Sequence, residues 1–390
     1  MLHLVFVTSL VPVTEPRSGY DIANRVIVDA LRLMGHHVSV IGFLQPGAAV
    51  ADRDNTVLLG ELEVTNAKVG AAQKLRWLAS AFRHGEPVSV AKMHAASRGQ
   101  LRQALASVGP FDGIVLNSVQ LPGAFLDLFS SSPCLYVAHN VEAASAAQNA
   151  STAGSPSSRF LFSREARLLR DVETRLCALA NHVFTLADAD RAALGVPGPD
   201  RSGVLPLVTS IEPPAPPASR APEFDVGLVG SWTWAANRAG LDWFLERIVP
   251  RLPSDFKIAV AGGLEDTPAG MSANVGFLGR VPDARDFVRS VRVVPLVSRV
   301  GTGVQLKSIE TFELGIPAVA TRSSVRGIAE PPANCRVADD DAGFAEALID
   351  LVNRARSGEN LDVDGRAFHE SQLNGLTAAL AIGIERLSHG

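Results

Sequence analysis

Cysteine is scarce: Cys134, Cys177 and Cys335 are the only three in 390 residues. They lie too far apart for a dense disulfide framework, and no C-x-x-C pair or suitably spaced histidine makes them metal ligands. A reducing cytosol is therefore the expected compartment. No apolar run approaches the roughly 18–20 residues of a membrane span. The apolar N-terminus LHLVFVTSLVPV has no basic flank or small-residue cleavage site, so it is expected to be a buried first strand rather than a signal peptide. Excess positive charge is missing too: the formal charge is −4, which gives a nucleic-acid partner no support. No G-x-G-x-x-G follows a first strand, and there is no P-loop and no G-x-S-x-G elbow. No aspartate pair suggests a bound divalent ion, so no metal and no cofactor are expected.

What is present is an ordinary globular composition, 47% apolar and 19% charged, on a chain longer than the ~250–300 residues at which single cores stop growing. Two domains are expected. Strand-like runs at Leu4–Ser9, Val38–Phe43, Gly113–Asn117 and Cys134–His139 alternate with helical patterns such as Ala23–Met34. Residues Phe160–Ala193 read as one or two long helices around the apolar run Val183–Leu186. A second series begins with Asp225–Gly230 and continues with helix Gly240–Arg251, strands Lys257–Ala261 and Val275–Gly279, and helix Ala284–Ser290. The alternation predicts an α/β protein of two doubly wound, Rossmann-like domains with parallel sheets. Between them Pro213, Pro214, Pro216, Pro217 and Pro222 exclude helix and central strand, which makes 213–222 a semi-rigid connector. The predicted division is 1–212, linker 213–222, 223–375, and a helix over 376–390 that packs back on the first domain.

Ligands in such sheets bind at the carboxyl ends of strands. One of those ends is the most informative stretch of the chain, VVPLVSRVGTGVQLKSIETFELGIP at 293–317. An apolar strand stops at Ser298, a Gly301-Thr302-Gly303 turn follows, and an amphipathic helix opens with Lys307 and Glu310 on one face. A helix N-terminus offers about four unpaired N–H groups and roughly half a positive charge, and glycines let an oxygen-rich ligand approach the main chain. A phosphate or diphosphate is the expected guest, with Lys307 for the phosphate and Glu310 for paired hydroxyls. Lys307 and Glu310 as a solvated i,i+3 pair is the bland alternative.

Together with SGYDIANRVIVDALRLMGHHVSVIGF, AHNVE at 138–142, GSWTWAANRAGLDWFLERIVPRL and GFLGRVPD at 276–283, this stretch resembles the GT-B glycosyltransferases, most closely the retaining family 4. The resemblance covers nearly the whole chain and implies GT-B architecture, two Rossmann-like domains facing across a cleft. It implies transfer of a sugar from a nucleoside diphosphate donor to a glycan or lipid-linked acceptor, with the nucleotide sugar as co-substrate. By position it assigns Glu310 to the donor ribose, and Gly301, Thr302, Gly303, Val304, Lys307 and the nearby Arg299 to the diphosphate and sugar. Gly230, Ser231 and Arg238 fall beside the phosphates, and Gly279, Arg280 and Val281 along the nucleobase. His139, with Thr302 and Glu310, falls at the transferred sugar as the catalytic group. Ser18, Gly19, Tyr20, Asn140 and Glu142 fall on the acceptor side.

The chain departs from the family where the first glutamate of the E-x7-E motif would stand, eight residues before Glu310: that residue is Thr302. A threonine can bond a sugar hydroxyl but offers no charge to an oxocarbenium-like transition state. A GT-B sugar-nucleotide epimerase and a catalytically impaired binding protein are the rival expectations. His139 could equally be a satisfied strand-end histidine, and Ser18 or Asp21 could serve as a helix cap. Trp232 or Trp234 is a candidate for sugar stacking, whereas Trp243 reads as core. Lys68, Lys74, Arg76, Arg83, Lys92, Arg98 and Arg102 stand against Glu86 alone, interleaved with Leu75, Trp77, Leu78 and Phe82. This stretch, 68–102, reads either as a solvated basic helix or as a peripheral contact with the inner face of the cytoplasmic membrane.

Overall fold

The computed structural model describes residues 1–16, 18–65, 69–196, 198–215, 220–264 and 272–387. Lys68, Pro216, Pro217 and the last residues of the expected 376–390 helix lie outside them. By contact density the chain divides into two compact units: Met1–Pro206 with Gly375–Gly390, and Leu207–Asn374.

The first unit is built on a parallel sheet of seven strands: β1 (His3–Leu10), β2 (His37–Leu44), β3 (Thr56–Glu61), β4 (Gly113–Asn117), β5 (Cys134–Ala138), β6 (His182–Thr185) and β7 (Ser202–Val204). Their order is β3-β2-β1-β4-β5-β6-β7. The central strands are continuous apolar runs because helices cover both faces of the sheet, and Leu4, Val5, Phe6 and Val7 are fully buried. The helix Gly19–Leu33 starts at Ser18, whose side chain accepts from Asp21 N–H while the Asp21 carboxylate accepts from Ser18 N–H, a complete capping box. Ala23, Val26, Ile27, Ala30 and Leu31 then recur at helical spacing and bury one face. Near the C-terminus, Gly383 lies against the Phe184 ring, so closely that a β-carbon there would stand 2.3 Å from Phe184 Cζ.

The second unit has six parallel strands: β8 (Phe224–Val229), β9 (Ile258–Ala261), β10 (Val275–Gly279), β11 (Val291–Leu296), β12 (Ala318–Ala320) and β13 (Cys335–Val337). Their order is β10-β9-β8-β11-β12-β13. Phe244, Phe256 and Phe344 fill the core beside Val226, Leu228 and Val293. The chain emerging from the proline-rich segment is pinned to this unit by Arg220, which bonds Asp362 at 2.6 and 2.5 Å and also donates to the Val291 carbonyl.

In both sheets the order reverses beside the first strand of the unit, between β1 and β4 and between β8 and β11. Such a reversal opens a crevice at the carboxyl ends of those strands. The α/β reading and the parallel sheets hold. Three strands escaped it, β3, β7 and β13, which are short or half-exposed and sit at or near sheet edges where no continuous apolar run is needed. The helix expected over Gly240–Arg251 starts earlier, at Ala235, and widens into a π turn at Phe244–Ile248. Pro250 has no N–H to return to the Glu246 carbonyl four residues back, so the regular ladder cannot continue. The region Phe160–Ala193 resolves into helix Pro156–Leu179, strand β6 and helix Asp188–Ala193.

Candidate active site

In the second unit, β11 delivers the chain to Ser298 in the crevice beside β8. Three buried hydroxyls, those of Ser308, Thr321 and Ser324, lock this corner. Ser298 N–H donates to Ser324 Oγ at 2.8 Å, Thr321 Oγ donates to the Ser298 carbonyl, Ser324 Oγ donates to the Leu296 carbonyl at 2.6 Å, and Ser308 Oγ donates to the Ser324 carbonyl at 2.7 Å. The turn then runs through Gly301 at φ +107° and Gly303 at φ +70°, conformations that a side chain resists. Arg326 clamps it by donating Nε to the Gly303 carbonyl at 2.8 Å and Nη1 to the Gly301 carbonyl. With those carbonyls held by one guanidinium, the turn leads through Val304 and Gln305 into the helix Leu306–Glu313. The expected order of strand, glycine turn and helix start is present here.

Lys307 is partly buried in the first turn of that helix, its ammonium 5.7 Å from the centre of the Trp232 ring. Burial lowers its pKa to about 8. No carboxylate among the described residues pairs with it. Glu310, one turn on, is held by Arg285, whose Nε donates to Oε1 at 3.0 Å and whose Nη2 donates to Thr209 Oγ at 2.8 Å. Burial nonetheless raises the Glu310 pKa, more than Arg285 lowers it. Thr209 continues the chain to Glu313 through its N–H at 3.0 Å and through its hydroxyl, and His369 meets the same carboxylate at 3.0 Å.

The floor of this crevice is backbone. Gly230 N–H donates to the Ala261 carbonyl at 3.2 Å, and Gly262 N–H to the Gly279 carbonyl at 2.6 Å. Gly262 has φ +118°, and a β-carbon on it would lie 1.8 Å from the Gly230 carbonyl oxygen. Ser231 is exposed, and Arg280 is exposed beyond Gly279 with Val281 half-buried after it. Trp232 is buried and donates its indole N–H to the Ala261 carbonyl at 2.8 Å, so it is a core residue and no stacking platform. Trp234 is 61% exposed. Trp243 packs edge-on against Phe344.

Two expected phosphate ligands are engaged elsewhere. Arg238 pairs with Asp242 at 2.6 Å, one turn along its own helix. Arg299 lies 4.5 Å over the Trp243 ring and donates to the Asp339 carbonyl at 2.7 Å.

In the first unit the expected residues gather in the crevice between β1 and β4. The Tyr20 ring lies 5.0 Å from that of His139, and its hydroxyl is 3.0 Å from Thr8 Oγ. His139 Nε2 is 2.8 Å from Asn117 Oδ1, and burial lowers its pKa to about 4. Ser18 is committed to its helix cap, with Gly19 as the first helical residue. Asn140 bonds the Glu142 carboxylate, whose pKa burial raises. Glu142 N–H in turn donates at 2.6 Å to Glu173, a buried carboxylate from the neighbouring helix.

Thr8, Asn24, Asn117, Arg285 and Arg326 were missed by the sequence reading. Thr8 and Asn117 carried a usable signal, because each is a polar residue in an apolar strand that leads to the crevice. Arg285 lies 25 residues in sequence from its partner Glu310, and Arg326 lies 23 and 25 residues from Gly303 and Gly301, so only the fold brings them in.

The basic stretch is not one helix. It comprises helix Ala71–His84, shorter turns, and helix Arg98–Ser107. Lys92 is buried, 4.2 Å over the Trp77 ring and donating to the Val64 carbonyl at 2.8 Å, and Arg98 pairs with Asp127. Lys74, Leu75, Arg76, Phe82 and Arg83 remain on the surface. Among the described residues no group of three or more His, Cys, Asp or Glu side chains is placed to hold a metal ion, and no helix is long and apolar enough to cross a membrane.

The two switch-point crevices, each in its own Rossmann-like unit, define the GT-B fold. Residues 223–354 match the family described as glycosyl transferases group 1. Among solved structures the chain is similar to a sucrose-phosphate synthase from Thermosynechococcus elongatus, at 15% identity with TM-score 0.65, covering 99% of this chain and 97% of that one. It is similar to Anabaena HepE in complex with UDP-glucose, at 15% identity with TM-score 0.63 and complete coverage of both. It is also similar to WaaG, a glycosyltransferase involved in lipopolysaccharide biosynthesis, at 17% identity with TM-score 0.60, covering 98% and 99%. No curated protein matches the sequence.

Proposed function

We propose that the protein is a glycosyltransferase that moves a sugar from a nucleoside diphosphate to a glycan or lipid-linked acceptor, with retention of configuration. The carrying observation is the Arg326-clamped glycine turn on the helix that bears Lys307. In this reading the main-chain N–H groups of the turn and the Lys307 ammonium take the diphosphate, and they neutralise charge as it leaves. Glu310 takes the ribose hydroxyls and Gly279–Val281 the base, while His139, Asn140 and Tyr20 serve the acceptor side. The group 1 domain and similar structures crystallised with UDP or UDP-glucose support the nucleotide-sugar donor. The surface basic and apolar residues of helix Ala71–His84 support a peripheral membrane contact at the cytoplasmic face. Arg238 and Arg299, paired within the unit, are given no part in phosphate binding here.

Thermal-shift screening with UDP, GDP, ADP and their sugars tests the donor. A ligand at 100 times its dissociation constant adds roughly 2.7 kcal/mol of stability. Absence of a shift with every nucleotide would remove the reading. Thr302 favours one alternative, a binding protein without turnover. Labelled sugar nucleotide separates the two, since an enzyme hydrolyses it slowly and a binding protein returns it intact.

A further inference from the structure

Glu310 is the outer end of a line of hydrogen bonds that starts at a buried carboxylate within the same unit. Glu313 lies one turn further along the helix and is 3% exposed. A carboxylate oxygen only accepts, so the directions of the bonds around it are fixed. Its Oε1 takes Thr209 N–H at 3.0 Å and the Nδ1–H of the buried His369 at 3.0 Å, and its Oε2 takes the Thr209 hydroxyl proton. With that proton committed, Thr209 Oγ meets Arg285 Nη2 as an acceptor, at 2.8 Å. The guanidinium is planar, so holding Nη2 sets where Nε points, and Nε donates to Glu310 Oε1 at 3.0 Å. While Glu313 is a carboxylate, no link in this line can be reversed. The Arg285 side chain is 40% exposed, and an ion pair that open to water is weakly held by itself. Its second attachment, to a hydroxyl anchored on a buried carboxylate, gives it one geometry.

We propose that Thr209 and Glu313 are positioning residues for nucleotide recognition: neither touches the ribose, but together they aim Arg285 and so fix the Glu310 carboxylate for the 2′ and 3′ hydroxyls. The proposal rests on the reading of Glu310 as the ribose ligand. It accounts for a carboxylate buried at the end of the helix, which burial alone would disfavour and which is held here by three donors.

The readout is a ribose ratio, the dissociation constant of a 2′,3′-dideoxy nucleoside diphosphate divided by that of its ordinary counterpart, measured by calorimetry on the full chain with UDP, GDP and ADP. Thr209→Val, which keeps the shape and removes the hydroxyl, should shrink the wild-type ratio roughly 2- to 10-fold, the weight of one hydrogen bond, and leave dideoxy binding unchanged. Glu313→Gln, whose amide offers hydrogens where the carboxylate only accepts, should shrink it as well, and Thr209→Ser should keep it. A wild-type ratio in both Thr209→Val and Glu313→Gln overturns the proposal. So does an equal loss of both nucleotides, or a loss in Thr209→Ser, since a merely structural role would produce either. If Thr209→Val fails to fold, Glu313→Gln and Thr209→Ser decide it. Failure of the parent reading looks different: wild type and Glu310→Ala then share one ratio, or wild type binds no nucleotide, and this inference falls with it. A ratio lost in Glu310→Ala but kept in Thr209→Val and Glu313→Gln sinks this inference alone.

Discussion

Arg285 holds the Glu310 carboxylate at 3.0 Å with Nε and reaches Thr209 at 2.8 Å with Nη2, so the proposed ribose ligand is presented by a guanidinium from another helix. Burial without this partner would push the carboxylate toward its protonated form. Glu310→Ala should raise the dissociation constant of the preferred nucleoside diphosphate roughly 10- to 100-fold, as expected for hydrogen bonds to a charged group worth about 1.5–3 kcal/mol. A 2′,3′-dideoxy nucleotide should bind wild type and Glu310→Ala alike in calorimetry. Equal loss with both nucleotides would place Glu310 away from the ribose.

Lys307 titrates near pH 8 in the free protein because burial penalises its charge. A bound diphosphate favours the ammonium, so binding should draw in a proton above about pH 8 and affinity should fall as pH rises further. Calorimetry in buffers of different ionisation enthalpy reads the proton uptake. Lys307→Gln should abolish it and weaken binding roughly 10- to 100-fold.

Glu173 sets a second pH dependence, this time of stability. Burial raises its pKa from 4.5 to about 7, although it accepts the N–H groups of Glu142 and Ala143. A raised folded-state pKa means that the stabilising contribution is complete below about pH 4.5 and is lost as pH rises through about 7. Wild type should lose roughly 2 kcal/mol of unfolding free energy between pH 5 and pH 8 from this group. Denaturant titrations should find that Glu173→Gln, which still accepts both N–H groups, is flatter with pH and more stable than wild type at pH 8.

The proposed membrane contact would set Leu75 and Phe82, 68% and 52% exposed, against anionic lipid, with Lys74, Arg76 and Arg83 beside them. Phe160 is 67% exposed on helix Pro156–Leu179, and Arg164 of the same helix lies 4.3 Å over the Phe82 ring. Each basic residue near such a surface contributes about 1 kcal/mol. Vesicles rich in anionic lipid should retain the protein at low salt, and Lys74→Glu with Arg83→Glu should release it. Equal sedimentation of wild type and double variant would leave this helix as a solvated one.

The sequence disclosed the elements whose chemistry is local. Leu4–Ser9 and Cys134–His139 are apolar because both faces of a central parallel strand are covered, and Gly301–Gly303 announces its turn through its own backbone needs. The edge strand β13, only Cys335–Val337, has no such signature. Arg285 and Arg326 carry no local mark either, because what gives each a role is a carboxylate or a pair of carbonyls supplied by another element. Arg238 and Arg299 illustrate the converse: their spacing suits a phosphate, but Asp242 and Trp243 are nearer.

The glycines at the mouth of the second sheet bear on any attempt to retune the donor. Gly230, Gly262 and Gly279 bring three chain segments together with no room for a methyl group between the first two, so even a conservative replacement there would wedge neighbouring strands apart. Under the proposed function, engineering for a different nucleobase would belong on Arg280, whose side chain stands in the open, with that glycine seam left untouched.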